Sequence, residues 1–167
     1  MSGIQMILTI AAMLFLAMVI IMVNANILTT EEVLYDSNFG ILATSIGSSI
    51  IEEANKKYYD DLTDTVVASK TSELVTPANL GIEAGEDPND YDTWDDFDDF
   101  NGYTFVDSSM PSAIFDVECE VVYVDTTNLN VASSSQEWSK KLTVKVYSES
   151  MTDTIVQTTI YSYWWFL

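Results

Sequence analysis

The hydrophobic residues of this chain are concentrated at its start. Residues 4–23 form an apolar run in which Gln5 and Thr9 are the polar residues, and no charged residue precedes Glu31. At about 1.5 Å per residue, a helix of this length covers roughly 30 Å, the thickness of the hydrocarbon layer of a membrane. The run therefore predicts a helix that lies in a membrane or packs among other helices. A cleavable secretory signal is the alternative, although such signals normally have a basic start and a shorter apolar stretch.

A second pattern begins at Leu42, where apolar or small residues recur every four positions. This spacing is typical of one stripe of an amphipathic helix, and its members are Leu42, Ile46, Ile50, Ala54, Tyr58 and Leu62. No proline precedes Pro77. We therefore predict one long helix over residues 1–62, with residues 4–23 as its membrane or filament-core segment. A membrane anchor joined to a separate soluble helix is the alternative.

The last third of the chain alternates between apolar and polar residues, as a sheet with one buried face does. Strands are predicted over 115–123, 142–147 and 155–163, with turn-forming residues in 128–135 and 148–153. The predicted fold class is α+β: a long N-terminal helix, apolar in its first half, whose second half (40–62) packs on a C-terminal antiparallel sheet (111–167) as one globular head. Residues 63–110 are predicted to be a linker and an acidic loop.

The acidic loop is the candidate site. Residues 83–99 carry nine acidic side chains interleaved with Tyr91, Trp94 and Phe97. Carboxylate and amide oxygens suit Ca²⁺, a hard cation with six to eight oxygen ligands, and the candidate ligands are Asp95, Asp96, Asp98, Asp99 and Asn101. Their spacing does not fit an EF-hand, and we favour a solvated acidic loop, so no cofactor is expected unless this loop holds calcium.

The amino-acid composition argues against two further classes of function, nucleic-acid binding and catalysis. The chain has 26 acidic residues against six basic ones, all lysines, and no histidine, for a net charge of −20. This charge argues against nucleic acid as a partner, because such binding needs cations that meet phosphates. The lack of histidine and of a nucleophile motif argues against an enzyme. The single cysteine, Cys119, has no internal disulfide partner and falls on the apolar side of its strand, which is typical of a core residue.

The outline and three local segments resemble type IV pilins and type II secretion pseudopilins, and minor pilins in particular. Residues 1–8 are similar to the start of a mature pilin, with Gln5 where the family usually has glutamate. Residues 43–54 are similar to the middle of the helix in many minor pilins. Residues 95–103 resemble an acidic signature that precedes the sheet in some minor pilins of the mannose-sensitive haemagglutinin type.

The resemblance implies a structural subunit of a pilus-like or pseudopilus filament that polymerises through its N-terminal helix. The assembly residues would be Met1, Ile4, Gln5, Leu8, Ala12, Leu16 and Val19. The implied partners are copies of the chain itself, an inner-membrane assembly machinery and a prepilin peptidase. The subunit would cross the inner membrane once before assembly and reach the cell surface as a filament. The alternative is a monomeric, membrane-tethered extracytoplasmic domain that binds a ligand, with calcium as an option.

A physical argument for assembly stands beside the resemblance. A segment that is apolar on all faces must lie in lipid or bury itself against copies of the same helix. Small residues in the run, among them Ala12, allow helices to approach closely. Head-to-tail contacts that do not close into a ring produce a helical filament.

Overall fold

The computed structural model describes residues 2–88, 90–110 and 112–163, without the side chains of residues 64 and 65. Two compact units are present, one ending at Asn38 and the other beginning at Phe39. The predicted assembly residue Met1 and the last four positions of the predicted sheet segment, 164–167, lie outside the described residues.

Helix α1 spans Gly3–Ala54, a length of 52 residues. It is continuous through Asn24 and Gly40, so the prediction of one long helix is confirmed over this range. Threonine hydroxyls along it donate back to the carbonyl oxygen four residues earlier, as Thr30 does to Asn26 and Thr44 to Gly40. These bonds satisfy the hydroxyl groups without interrupting the helix.

The first unit contains the apolar run of α1 and continues through Glu31 and Glu32 to Asn38. Its best 18-residue window has a mean hydropathy of 2.9, and none of that window is buried. By length and composition this helix is able to cross a membrane.

The predicted extension of α1 to residue 62 is wrong: the helix ends at Ala54, and the backbone that follows pairs with a segment distant in sequence. The backbone of Tyr58 pairs with the acidic segment, donating to the carbonyl of Asp95 and accepting from the amide of Phe97 at 2.9 Å each. A short helix α2, Asp61–Thr65, then begins with the Asp60 carboxylate as its N-cap. Tyr58 and Leu62, predicted to continue the buried stripe, are exposed.

The second unit contains an antiparallel sheet. Its strands are β1 (Thr104–Asp107), β2 (Phe115–Asp125), β3 (Asn128–Ala132), β4 (Ser139–Tyr147) and β5 (Ile155–Ser162). The order across the sheet is β1-β2-β4-β5, and β3 pairs with the end of β2. In the centre of the sheet Cys119 lies opposite Val144. Strand β1 comes from the predicted linker and β3 from a predicted turn, so the sheet is larger than the sequence pattern indicated.

The main core lies between the second half of α1 and the apolar face of the sheet. Helix residues Ala43 and Ala54 are buried, and Phe39 contacts Phe115 edge to face with ring centroids 6.4 Å apart. The sheet contributes the alternating residues Phe115, Val117, Cys119, Val121, Leu142, Val144 and Val146. The predicted α+β class, with the second half of the helix on an antiparallel sheet, is confirmed.

Gly47 marks the closest approach of α1 to the sheet. A Cβ at this position would lie 2.6 Å from the side-chain oxygen of Gln157 on β5. The amide of Gln157 also donates to the carbonyl of Thr44 at 3.3 Å. The absence of a side chain at Gly47 therefore lets helix and sheet approach to hydrogen-bonding distance.

A buried acidic cluster and an exposed apolar helix

The central part of the acidic segment is buried rather than solvated. Asp96, Asp98 and Asp99 have no exposed surface, so the favoured prediction of a solvated loop is wrong for these three. The remaining aspartates of the run are exposed, as expected: Asp87, Asp90, Asp92 and Asp95.

Aromatic side chains explain why these acids are inside. Trp94, Phe97 and Phe100 recur every three residues and are all buried. Trp94 contacts Phe100 and Tyr103 edge to face, with ring centroids 5.0 Å and 4.8 Å away, and Phe97 contacts Tyr161 on β5 at 5.1 Å. Burial of aromatic rings is strongly favourable, and the acids between them are carried into the interior.

The Asp96 carboxylate accepts hydrogen bonds from backbone amides that no helix or strand partner satisfies here. Its Oδ1 accepts from the backbone amides of Asp98 at 2.8 Å and Asp99 at 3.3 Å, and its Oδ2 accepts from the amide of Asp61 at 2.6 Å. These bonds join the 3₁₀ turn Asp98–Phe100 to the start of α2.

Lys140 on β4 is the cation that meets this cluster. Its Nζ donates to the carbonyl of Tyr59 at 2.7 Å, to Oδ2 of Asp60 at 3.0 Å and to Oδ1 of Asp98. The rings of Tyr59 and Tyr123 lie 4.6 Å and 5.5 Å from the ammonium. Lys140 and both aspartates are fully buried, so bulk solvent does not screen their charges.

Lys140 was not among the predicted site residues, although the sequence contains a signal for it. Leu142, Val144 and Val146 were assigned to the buried face of their strand, and the same alternation extended backwards places Lys140 on that face. In the structure Lys140 lies opposite Tyr123, which is also buried. A lysine on an apolar face predicts a buried acidic partner, because an unpaired buried charge is very costly.

The buried acids exceed the positive charge available to them. Two carboxylate oxygens in the described part of the chain, Oδ2 of Asp98 and Oδ1 of Asp99, are buried without a hydrogen-bond partner. Oxygens of Glu83, Asp96 and Asp98 lie within 4.8 Å of one another, and so do oxygens of Glu83, Glu86 and Asp99. Glu83 therefore connects two triads of carboxylates, which we call the acidic cluster.

The environment of the cluster disfavours ionised carboxylates. Burial raises the pKa of Asp96 to about 9, with a further contribution from the negative charge of Asp98. Burial and the neighbouring Asp99 raise the pKa of Glu83 to about 8, and burial raises the pKa of Asp99 to about 6. Such a group of acids needs either protons or a cation to offset its mutual repulsion.

The predicted metal ligands separate into three groups in the structure. The buried aspartates Asp96, Asp98 and Asp99 are brought together. Asp95 is exposed and contributes its backbone amide to Oδ2 of Asp99 at 3.1 Å. The Asn101 amide holds backbone groups instead, accepting from the amide of Val121 and donating to the carbonyl of Leu80 at 3.0 Å each.

Glu83 and Glu86 were not among the predicted ligands. They belong to the acidic run, but they precede the buried aspartates by 10 to 16 residues. Their approach depends on the irregular chain between them, which no periodic pattern describes. The Glu86 carboxylate accepts from the amide of Glu83 at 2.9 Å and from the amide of Asp95 at 3.3 Å, which fixes this approach.

The predicted assembly residues lie on the exposed first half of α1. Those that the structure describes are Ile4, Gln5, Leu8, Ala12, Leu16 and Val19, and all are exposed. Their spacings of three and four residues place them on one side of the helix, which we call the Ala12 side. The Gln5 side chain accepts from the backbone amide of Ser2 at 3.2 Å, within its own chain.

No family model matches the chain, and comparisons with curated proteins and with solved structures find no significant match. The long apolar helix packed on an antiparallel sheet is compatible with a pilin-like fold.

Proposed function

We propose that this chain is a structural subunit of a type IV pilus-like or pseudopilus filament, which polymerises through its apolar N-terminal helix. The observation that carries the proposal is the first half of α1, where large apolar side chains on all sides are exposed. Ile4, Met13 and Ile20 are each at least 60% exposed, and such a surface is not stable in water. Lipid before assembly and neighbouring helices after assembly would cover it.

The distribution of polar and small residues supports contact between helices. Within residues 4–23 the polar side chains are Gln5 and Thr9, and Thr9 follows Gln5 by four residues on the Ala12 side of α1. In lipid, small and polar residues mark the side of a helix that packs on another helix. The Ala12 side would accordingly face a neighbouring subunit.

The proposed sequence of locations and partners follows from the same helix. The subunit would cross the inner membrane once and then pass into a filament at the cell surface, with the acidic second unit outside the apolar core. An assembly machinery and a prepilin peptidase are proposed partners by resemblance. Mass spectrometry of the N-terminus of protein from the native cell would report peptidase processing directly.

Electron microscopy of two matched variants tests the filament proposal. Purified full-length protein is transferred out of detergent and examined by negative stain, and we expect filaments. Ala12→Phe should reduce filament formation strongly, because a large ring would separate the packed helices. Ala17→Phe is the control, since this alanine points about 140° away from Ala12 around the helix.

Two outcomes would contradict the proposal. A stable monomer in detergent-free buffer would show that the apolar helix needs no cover. Equal filament formation by both variants would show that the Ala12 side does not form the contact between subunits.

A monomeric, membrane-tethered domain that binds a ligand is the second candidate, and the buried acidic cluster is the observation that favours it. This second candidate predicts that the protein needs detergent or lipid and that it forms no filaments, either in detergent or after transfer out of detergent.

A further inference from the structure

The acidic cluster lacks enough positive charge within the described residues. Among their ion pairs, Lys140 is the one that reaches the cluster, and it contacts Asp60 and Asp98. Lys56 and Lys57 pair with Glu53. The carboxylates of Glu83, Glu86 and Asp99 therefore meet one another without a lysine between them.

The unpartnered oxygens point to a missing ligand. A buried carboxylate oxygen without a donor is costly, because it has lost its hydrogen bonds to water, and the cluster contains two such oxygens among the described residues, on Asp98 and Asp99. Each belongs to a carboxylate whose other oxygen is engaged, by Lys140 for Asp98 and by two backbone amides for Asp99. Both side chains are thus held in place while one oxygen of each remains available.

We propose that Glu83, Glu86, Asp96, Asp98 and Asp99 form a Ca²⁺ site, with Glu83 shared between the two triads of carboxylates. Ca²⁺ takes six to eight oxygen ligands at 2.3–2.6 Å. Within each triad the carboxylate oxygens lie within 4.8 Å of one another, so each triad is able to contact one ion, and Glu83 belongs to both triads. The donor set consists of carboxylates alone, which suits Ca²⁺ rather than zinc or copper, whose sites use sulfur and imidazole.

The ion links two irregular parts of the chain. Glu83 and Glu86 come from the segment before Trp94, and Asp98 and Asp99 come from the 3₁₀ turn after it. Coordination neutralises the repulsion between these segments and adds a connection that hydrogen bonds alone do not supply. Bound calcium therefore stabilises the second unit, whether or not the chain forms filaments.

Calorimetry on the full-length protein in mild detergent tests the site. After removal of metal with a chelator, CaCl₂ is titrated in, and near-ultraviolet circular dichroism follows the aromatic packing of Trp94. We expect saturable binding of one Ca²⁺ per chain and a higher urea midpoint with calcium than without it. Mg²⁺ should bind more weakly, because it requires six ligands in a near-ideal octahedron.

Two isosteric variants separate this site from general attraction by a negative surface. Glu83→Gln removes the shared ligand and should weaken calcium binding about tenfold or more, because ligand charge sets calcium affinity. Since glutamine has nearly the same shape as glutamate and brings no charge into the metal-free cluster, the variant should fold, which its circular dichroism without calcium checks. Asp92→Asn makes the same charge change at an exposed position of the same segment and should leave affinity within about twofold.

The absence of saturable binding would overturn the proposal. Equal weakening by Glu83→Gln and Asp92→Asn would do the same, since it would indicate diffuse attraction by surface charge. Both results concern the second unit alone and are independent of whether filaments form.

Discussion

Removal of the Lys140 ammonium is the sharpest test of how the second unit is held together. Lys140→Met keeps a similar chain length but leaves the buried carboxylates of Asp60 and Asp98 without their cation. Breaking a buried pair by removing one partner typically costs about 3–5 kcal/mol. Lys140 also donates to the carbonyl of Tyr59, which loses its partner as well. We expect a loss of at least about 3 kcal/mol, a large part of the 5–15 kcal/mol that a domain of ordinary stability has.

Urea unfolding of the full-length protein in mild detergent measures this loss. Near-ultraviolet circular dichroism is the appropriate signal, because it reports tertiary packing and not the helix that detergent stabilises. A chelator is present throughout, so that calcium does not contribute. Lys145→Met is the matched control: it lies on the same strand with a partly exposed side chain and should change stability by no more than about 0.5 kcal/mol.

A double variant shows whether the stability loss of Lys140→Met comes from unpaired buried carboxylates or from lost packing. Asp98→Asn added to Lys140→Met removes one of the two uncompensated carboxylates, so the double variant should be more stable than Lys140→Met alone. The electrostatic explanation would be refuted if Lys140→Met unfolded at the same urea concentration as the unchanged protein. It would also be refuted if Asp98→Asn gave no recovery.

Three further changes test the packing of the second unit. Gly40→Ala, where a Cβ meets no atom within 4 Å, should stabilise α1 by about 0.5–1 kcal/mol in urea unfolding, whereas Gly47→Ala should lose this gain because its Cβ displaces Gln157. Burial raises the pKa of Cys119 to about 12, so iodoacetamide at pH 8 should modify it far more slowly in folded than in urea-unfolded protein; equal rates would contradict its burial. Phe97→Ala should cost about 3–5 kcal/mol in urea unfolding and Phe97→Leu clearly less, since the fully buried ring anchors the acidic segment.

Periodic patterns predicted most of the fold. The stripe of Leu42, Ile46 and Ile50 identified the helix face that packs on the sheet, and the alternation around Cys119 identified the central strand. Strand β3 was missed because all of its residues are exposed, so its sequence carries no buried face. The end of α1 was misplaced because Tyr58 bonds to a segment almost forty residues away, and local periodicity contains no information about such pairing.

The sequence predicted which aspartates belong to the site but not that they are buried. Asp96, Asp98 and Asp99 were identified as candidate ligands, yet their charge indicated a solvated loop. The aromatic residues around them carried the opposite signal, because Trp94, Phe97 and Phe100 recur every three residues and large rings favour burial. Apolar burial outweighed the exposure that the charges favoured, since hydrogen bonds and Lys140 offset part of the cost of desolvation.

The acidic residues have a structural role that explains why so many occur in a segment with little helix or strand. Buried backbone amides need acceptors, and the described residues between Ala54 and Thr104 contain, as regular elements, only the short helix α2 and brief 3₁₀ turns to supply them. Carboxylates do so instead: Asp60 accepts from the amides of Leu62 and Val75, Asp96 from three amides, and Asp99 and Glu86 from two each. The bonds run over 2.6–3.3 Å.

Each carboxylate has about four acceptor sites, so a segment built in this way holds more acceptors than donors. The surplus appears as the unpartnered oxygens of Asp98 and Asp99. Charge accumulates with it, because every acid that organises the backbone also brings a negative charge into the interior. Among the described residues one lysine, Lys140, meets part of that charge, and the proposed Ca²⁺, coordinated by the remaining oxygens, would satisfy both the surplus acceptors and the uncompensated charge.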